Sequence, residues 1–147
     1  MEGYRRAAAF VDLDAIEANF EAIRKTLKEG TQIAAVIKTN GYGHGAAQIA
    51  RLAEQKEYIW GFAVATVEEA LELRKSGIEK PVLVLGYVFP ENYGELVEQH
   101  IRPAVFRLDM AEKLSGEAGR RNRKLPVHNK VVTGMSRSGV ADTSESA

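Results

Sequence analysis

The chain has 147 residues, 45% hydrophobic and 27% charged, which suits one domain with a core or a piece of a larger one. Twenty basic and twenty acidic residues leave no net charge, so no overall field draws it toward nucleic acid or anionic lipid. With no cysteine and three scattered histidines, a disulfide framework, thiolate chemistry and a histidine-rich metal site are not expected. No apolar run approaches the roughly 18 residues of a membrane span, and the apolar segment of the opening "MEGYRRAAAFVDLD" is too short for a signal peptide, so the expected address is the cytoplasm.

In chain order, short apolar runs alternate with amphipathic segments. "AAFVDL" reads as a first short strand, and Asp14 with Glu17 forms a candidate capping box for a helix carrying Ile16, Phe20, Ile23 and Leu27, with Gly30 as its stop. "QIAAVI" is the next strand, followed by a glycine-rich turn and a helix from about Ala46 to Gln55 with Ile49, Leu52 and Ala53 inward. After the strand "WGFAV", Thr66 with Glu69 repeats the capping pattern for a helix carrying Ala70, Leu71 and Leu73 and ending at Gly77. "PVLVLGY" and "IRPAVF" are strands separated by a short helix near Asn92 to Gln99. Asp109 with Glu112 opens a further helix, and "LPVHNKVV" closes the series.

The runs are rich in Val, Ile and Ala and alternate weakly, as strands covered on both faces do. From Gln32 onward they start about 20 to 28 residues apart, the spacing of right-handed βα units in a parallel sheet. No GxGxxG or GxxxxGK[ST] follows a strand, which weakens a nucleotide-binding sheet. A closed barrel needs roughly 200 residues or more. The expected fold is therefore α/β: an incomplete (β/α)8 TIM-type barrel, about the first five parallel βα units over residues 1–140, with residues 141–147 a polar, frayed tail.

The chemistry is expected where "IAAVI" meets "KTNGYGHG". Lys38 stands at the carboxyl end of a strand, the end of such sheets at which ligands bind. An amine desolvated there can attack a carbonyl; the competing reading is a lysine that snorkels to solvent. Tyr42 and His44 sit among glycines, so the backbone can approach a ligand closely and a phosphate would suit the place; otherwise they are polar rings on a surface turn. His128 reads as a packed residue, His100 as a cap or a solvent-facing ring, and "GRRNRK", Gly119 to Lys124, as a solvated loop.

"AAVIKTNGYGHGA" closely resembles the cofactor-lysine segment of the alanine racemases, fold-type III pyridoxal-phosphate enzymes. "VHNKVVTGMSRSGV", "AAFVDLDAIEANFEAIRK" and "VLVLGY" resemble further segments of that family. The resemblance runs from Arg6 to Val140 and implies the cofactor pyridoxal 5'-phosphate, the substrate alanine, and a homo-oligomer supplying D-alanine as a peptidoglycan precursor. It implies that Lys38 holds the cofactor as an internal aldimine and acts as base on one substrate face. Tyr42 then bonds the cofactor phosphate, Arg137 lies near the cofactor's phenolic oxygen and the substrate carboxylate, and Lys130 is a lysine often carbamylated to hold that arginine. In the family the second base is a tyrosine from the C-terminal domain of the other subunit, and Tyr4, Tyr58, Tyr87 and Tyr93 do not match its motif.

The match departs from the family at Asn129, Val132 and Ser138, where it usually has an aliphatic residue, an aspartate and an aliphatic residue. Alternation along the strand points Asn129 toward a helix layer, where an unbonded amide costs about 1–3 kcal/mol. The expectation is an N-terminal part of an amino-acid racemase, inactive alone. The competing expectation is a degenerate barrel fragment that associates through open sheet edges.

Overall fold

The computed structural model describes residues 8–141; Tyr4, Arg6 and all but the first residue of the expected polar tail lie outside that range. Five parallel strands form one sheet in sequence order: β1 (Ile33–Val36), β2 (Ile59–Val64), β3 (Val82–Val84), β4 (Ile101–Val105) and β5 (His128–Asn129). The short strands β6 (Val131–Val132) and β7 (Val140–Ala141) pair with each other beyond them. The helices are α1 (Leu13–Thr26), a turn α2 (Lys38–Tyr42), α3 (Ala46–Glu54), α4 (Val67–Lys75), α5 (Tyr93–Glu98) after a 3₁₀ turn at Pro90–Asn92, and α6 (Leu108–Arg120). Neighbouring strands in sequence order joined by helices are the unit of a β/α barrel, here incomplete.

The sheet curls. From β2 to β5 there are three strand spacings, about 14 Å along a flat sheet. Yet the Trp60 ring lies 5.4 Å from the His128 ring, edge to face, and Arg102 of β4 stacks over the same indole at 5.0 Å. A β-bulge aims Trp60 there: Ile33 pairs with Ile59 but Ala34 pairs with Gly61, leaving Trp60 as the extra residue. Gly61 has to be glycine, because a Cβ would stand 2.2 Å from the Pro81 carbonyl oxygen. His128, half-buried, is thus packed as expected, and burial, with Arg102 adding to it, holds its imidazole below the usual histidine range.

The other face carries the core. Phe62, Val64, Val82 and Val84 from the strands meet Leu73 of α4 and Leu96 of α5, each at most 1% exposed. Burying such a side chain contributes about 1.5–3 kcal/mol each. Arg74 of α4 ties the amino end of the sheet. Its guanidinium donates to the carbonyls of Gln99 at 2.9 Å, Ile78 at 2.7 Å, Lys80 at 2.9 Å and His100 at 3.3 Å, ahead of β3 and β4. Helix α1 has no fully buried residue and is held by a polar cluster: Lys56 Nζ lies 2.6 Å from Glu17 and 3.0 Å from Glu21, and the Tyr58 hydroxyl donates to Glu21 at 2.7 Å.

Several local expectations are corrected. "AAFVDL" is no strand: Ala8 to Asp12 form no regular element and are exposed, with Phe10 93% exposed, and they pair with no strand among the described residues. The cap of α1 is Asp12, whose carboxylate accepts from the Ala15 N–H, two residues earlier than Asp14. Helix α6 starts at Leu108 with no side-chain cap; Asp109 turns instead to Arg107, 2.8 Å away. Asn129 is exposed, since no helix covers the edge strand β5 among the described residues, so the expected burial cost does not arise. The "GRRNRK" segment is exposed throughout, as expected, but its first two residues end α6 and the rest is held by Arg121 bridging Glu98 and Glu117 and by Arg123 donating to the Glu98 carbonyl.

Candidate functional site

Strand β1 ends at Val36, and the next residues leave the sheet through an unusual piece of backbone. Thr39 (φ 55°), Asn40 (52°), Gly41 (62°) and Tyr42 (54°) lie in succession in the left-handed region. For L-residues this costs about 1–2 kcal/mol each, and a β-branched threonine there is a true outlier. Only Gly41 is spared, and its lack of a side chain is needed: a Cβ would sit 3.0 Å from Ile49 Cδ1 and 3.2 Å from the Ala46 nitrogen.

Such strain persists only when the surroundings over-determine it. Here the Gly41 N–H donates to the Ile37 carbonyl at 2.8 Å, the Gly43 N–H to Thr39 at 3.1 Å and the Gly45 N–H to Asn40 at 2.9 Å. The Asn40 side chain accepts from the Ala46 N–H at 3.0 Å, capping α3, and Glu69 accepts from the Thr39 N–H at 2.6 Å. The turn sets Lys38, half-buried, beside Tyr42, with Nζ 5.7 Å from the ring centroid. Among the described residues the Lys38 amine has no hydrogen-bond or ion-pair partner. Tyr42 is 59% exposed, and its hydroxyl has no hydrogen-bond partner among those residues either. His44 is exposed, and its Nδ1 lies 3.1 Å from the Gly41 carbonyl, which holds the ring to the turn.

The second pair of expected site residues stands at the opposite edge of the sheet, also at its carboxyl end. Lys130, directly after β5, donates from Nζ to the Leu85 carbonyl at 3.1 Å and to the Ser138 hydroxyl at 2.7 Å, and lies 5.8 Å from the Phe106 ring centroid. Arg137 is exposed and shares with Lys130, Met135 and Ser138 a cleft of about 160 Å³. The structure therefore brings Lys38 to Tyr42 and Lys130 to Arg137. No contact joins the two pairs among the described residues.

Two contributors were not legible as site residues. Glu69 carries a sequence signal for helix capping only, and its second role depends on a contact across 30 residues. Ser138, a departure from the family pattern, gains meaning from Lys130, whose ammonium it accepts. An amine without a partner at a strand end, a phenol beside it and a rigid turn between them can capture a carbonyl compound and hold an anionic group. That donor set suits pyridoxal phosphate, with an amine for the aldehyde and a hydroxyl donor for the phosphate.

Residues 11–147 match the family model described as "Alanine racemase, N-terminal domain". The chain belongs to the alanine racemase family. An alanine racemase of Desulforamulus reducens is 42% identical over 137 residues, covering 93% of this chain and 37% of that protein. One from Geobacillus kaustophilus is 45% identical over 146 residues, covering 98% and 37%. The solved alanine racemase of Clostridium difficile 630 in complex with cycloserine superposes with a TM-score of 0.90 at 36% identity, covering 92% of this chain and 37% of that one. The chain thus spans little more than a third of the length of these alanine racemases, and it corresponds to the first strands of their barrel.

Proposed function

We propose that this chain is the lysine-bearing part of a pyridoxal-phosphate-dependent amino-acid racemase acting on alanine. The observation that carries the reading is the Lys38 amine, which has no partner among the described residues and is held beside Tyr42 by a strained, over-determined turn at the carboxyl end of β1. Pyridoxal phosphate, when bound, supplies the electron sink that makes an amino acid's α-proton removable.

Within that reading, Lys38 is the residue that binds the cofactor and then takes or returns a proton at its Nζ on one face of the substrate. Tyr42 donates its hydroxyl to the phosphate. Arg137 orients the substrate carboxylate, and Lys130 positions the segment that carries Arg137, anchored by the Leu85 carbonyl and Ser138. Racemisation needs a second acid–base group on the other face, and this group is proposed to come from the family's C-terminal domain in a partner subunit. The working unit is accordingly a homo-oligomer. It would serve in the cytoplasm, making D-alanine as a peptidoglycan precursor. Residues up to 140 form its partial barrel and 141–147 a polar extension.

The test is to incubate the purified chain with pyridoxal phosphate, reduce with borohydride and map the labelled peptide. The expected result is a visible chromophore before reduction and a single pyridoxyl label on Lys38, both lost in Lys38→Ala. Label spread over surface lysines, with none preferred, would overturn the proposal and favour the degenerate-barrel alternative.

A further inference from the structure

We infer that Glu69 is a positioning residue for Lys38: its carboxylate locks the first residue of the left-handed turn and so aims the amine. Glu69 occupies the third position of α4. In an ordinary capping box it would reach back to the N–H of the cap residue itself, Thr66. Only half of that box is present: the Thr66 hydroxyl accepts from the Glu69 N–H at 3.4 Å. The carboxylate instead spends one oxygen on the Ala65 N–H at 2.7 Å, just past the end of β2, and the other on the Thr39 N–H at 2.6 Å, just past Lys38.

A single anion therefore ties together the carboxyl ends of the two strands. Both bonds are charge-assisted and short, the stronger class of hydrogen bond. The one to Thr39 falls on the residue whose left-handed conformation is least natural, since a β-branched side chain disfavours a positive φ. If Thr39 relaxes to an extended or right-handed conformation, the direction of the Lys38 backbone changes and the amine leaves its place beside Tyr42. A helix-capping role alone gives no reason for a contact to Thr39.

Glu69→Gln separates the two roles. Glutamine has the same size and can still accept at one oxygen, but its NH₂ faces the second N–H, donor against donor. Two measurements on the full 147-residue chain and its variants decide the matter. Amide hydrogen exchange at Thr39 should accelerate roughly tenfold or more in Glu69→Gln, as expected for loss of a bond to a charged group. After reductive ¹³C-methylation, the Lys38 dimethylamine signal, displaced in the parent by the ring current of Tyr42, should move to the ordinary lysine position. Thr66→Ala, which removes the capping partner and keeps the carboxylate, should leave both signatures in place. Adding Thr39→Gly to Glu69→Gln should restore the Lys38 signal, because glycine adopts the turn without strain.

Unchanged Thr39 exchange in Glu69→Gln, equal effects of Glu69→Gln and Thr66→Ala, or no rescue by Thr39→Gly would each overturn the inference. Its functional consequence rests on the reading of Lys38 as the cofactor lysine. Slower capture of pyridoxal phosphate at Lys38 in the glutamine variant is therefore read only against a parent chain that does capture it. A parent that takes up none refutes the proposed function, while the exchange and methyl signals still decide the role of Glu69.

Discussion

Arg74→Ala is expected to destabilise the chain by about 2–4 kcal/mol, from the hydrogen bonds it removes. The guanidinium serves four backbone carbonyls at once. Those of Gln99 and His100 are exposed and can take water instead, so their loss costs little. Those of Ile78 and Lys80 are partly buried, and each left without a partner costs about 1–3 kcal/mol. Burial lowers the pKa of the guanidinium, with Glu54 acting in the opposite sense. Arg74→Lys keeps the charge but presents one compact donor group where the fork bonds in several directions, so it should recover about half of the loss. Equilibrium unfolding in urea, with slopes compared to confirm that the same surface is exposed, measures the difference. In thermal unfolding the alanine variant should melt roughly 5–15 °C lower, at about 2–4 °C per kcal/mol for a chain of this size. A loss below about 0.5 kcal/mol, or a lysine variant no better than alanine, would refute the view that this one side chain fastens the amino ends of β3 and β4.

Gly61→Ala places a methyl group 2.2 Å from the Pro81 carbonyl oxygen and should cost about 1–3 kcal/mol or more; wild-type stability in the same urea assay would contradict the bulge geometry. His128 has a folded pKa below the ordinary 6.5, so the unfolded state binds more protons across the interval between the two values. Its effect on stability is therefore a loss that grows as pH falls through about 6.5 and is complete below the folded pKa. Trp60 is the single tryptophan and packs on His128, so its fluorescence should fall on acidification with a midpoint below 6.5, and His128→Gln should abolish the step; a midpoint at or above 6.5 would sink the assignment. The outer edge of β1 borders an apolar cleft of about 410 Å³ lined by Ile16, Phe20, Ile23 and Val36, the last 45% exposed. The isolated chain should associate through such edges, and a monodisperse monomer by light scattering would contradict this.

The order of elements from α1 to β5, the parallel sheet and the cap at Thr66 could all be read in the sequence, because each depends on periodicity and on residues three or four apart. Lys38 at a strand end was equally legible. The position of α1's cap was not, since Asp12 and Asp14 are chemically alike and the choice depends on where the chain leaves the sheet's flank. Asn129 was misjudged for a similar reason: alternation gives the direction of a side chain, but only the neighbouring layer decides whether it is buried.

By itself, then, the sequence determined the fold class, the family and which lysine ends the first sheet strand, because these follow from local patterns and one dense motif. Tertiary structure alone decided what that lysine's surroundings are. The left-handed run at Thr39–Tyr42 is strained in isolation and exists because Ile37, Ala46 and Glu69 bond it from outside. The bond from Lys130 to the Leu85 carbonyl and the stack of Trp60, Arg102 and His128 likewise arise only when the sheet curls and brings non-adjacent strands together. Contacts of this kind have no signature in sequence spacing, since they are made by curvature across strands.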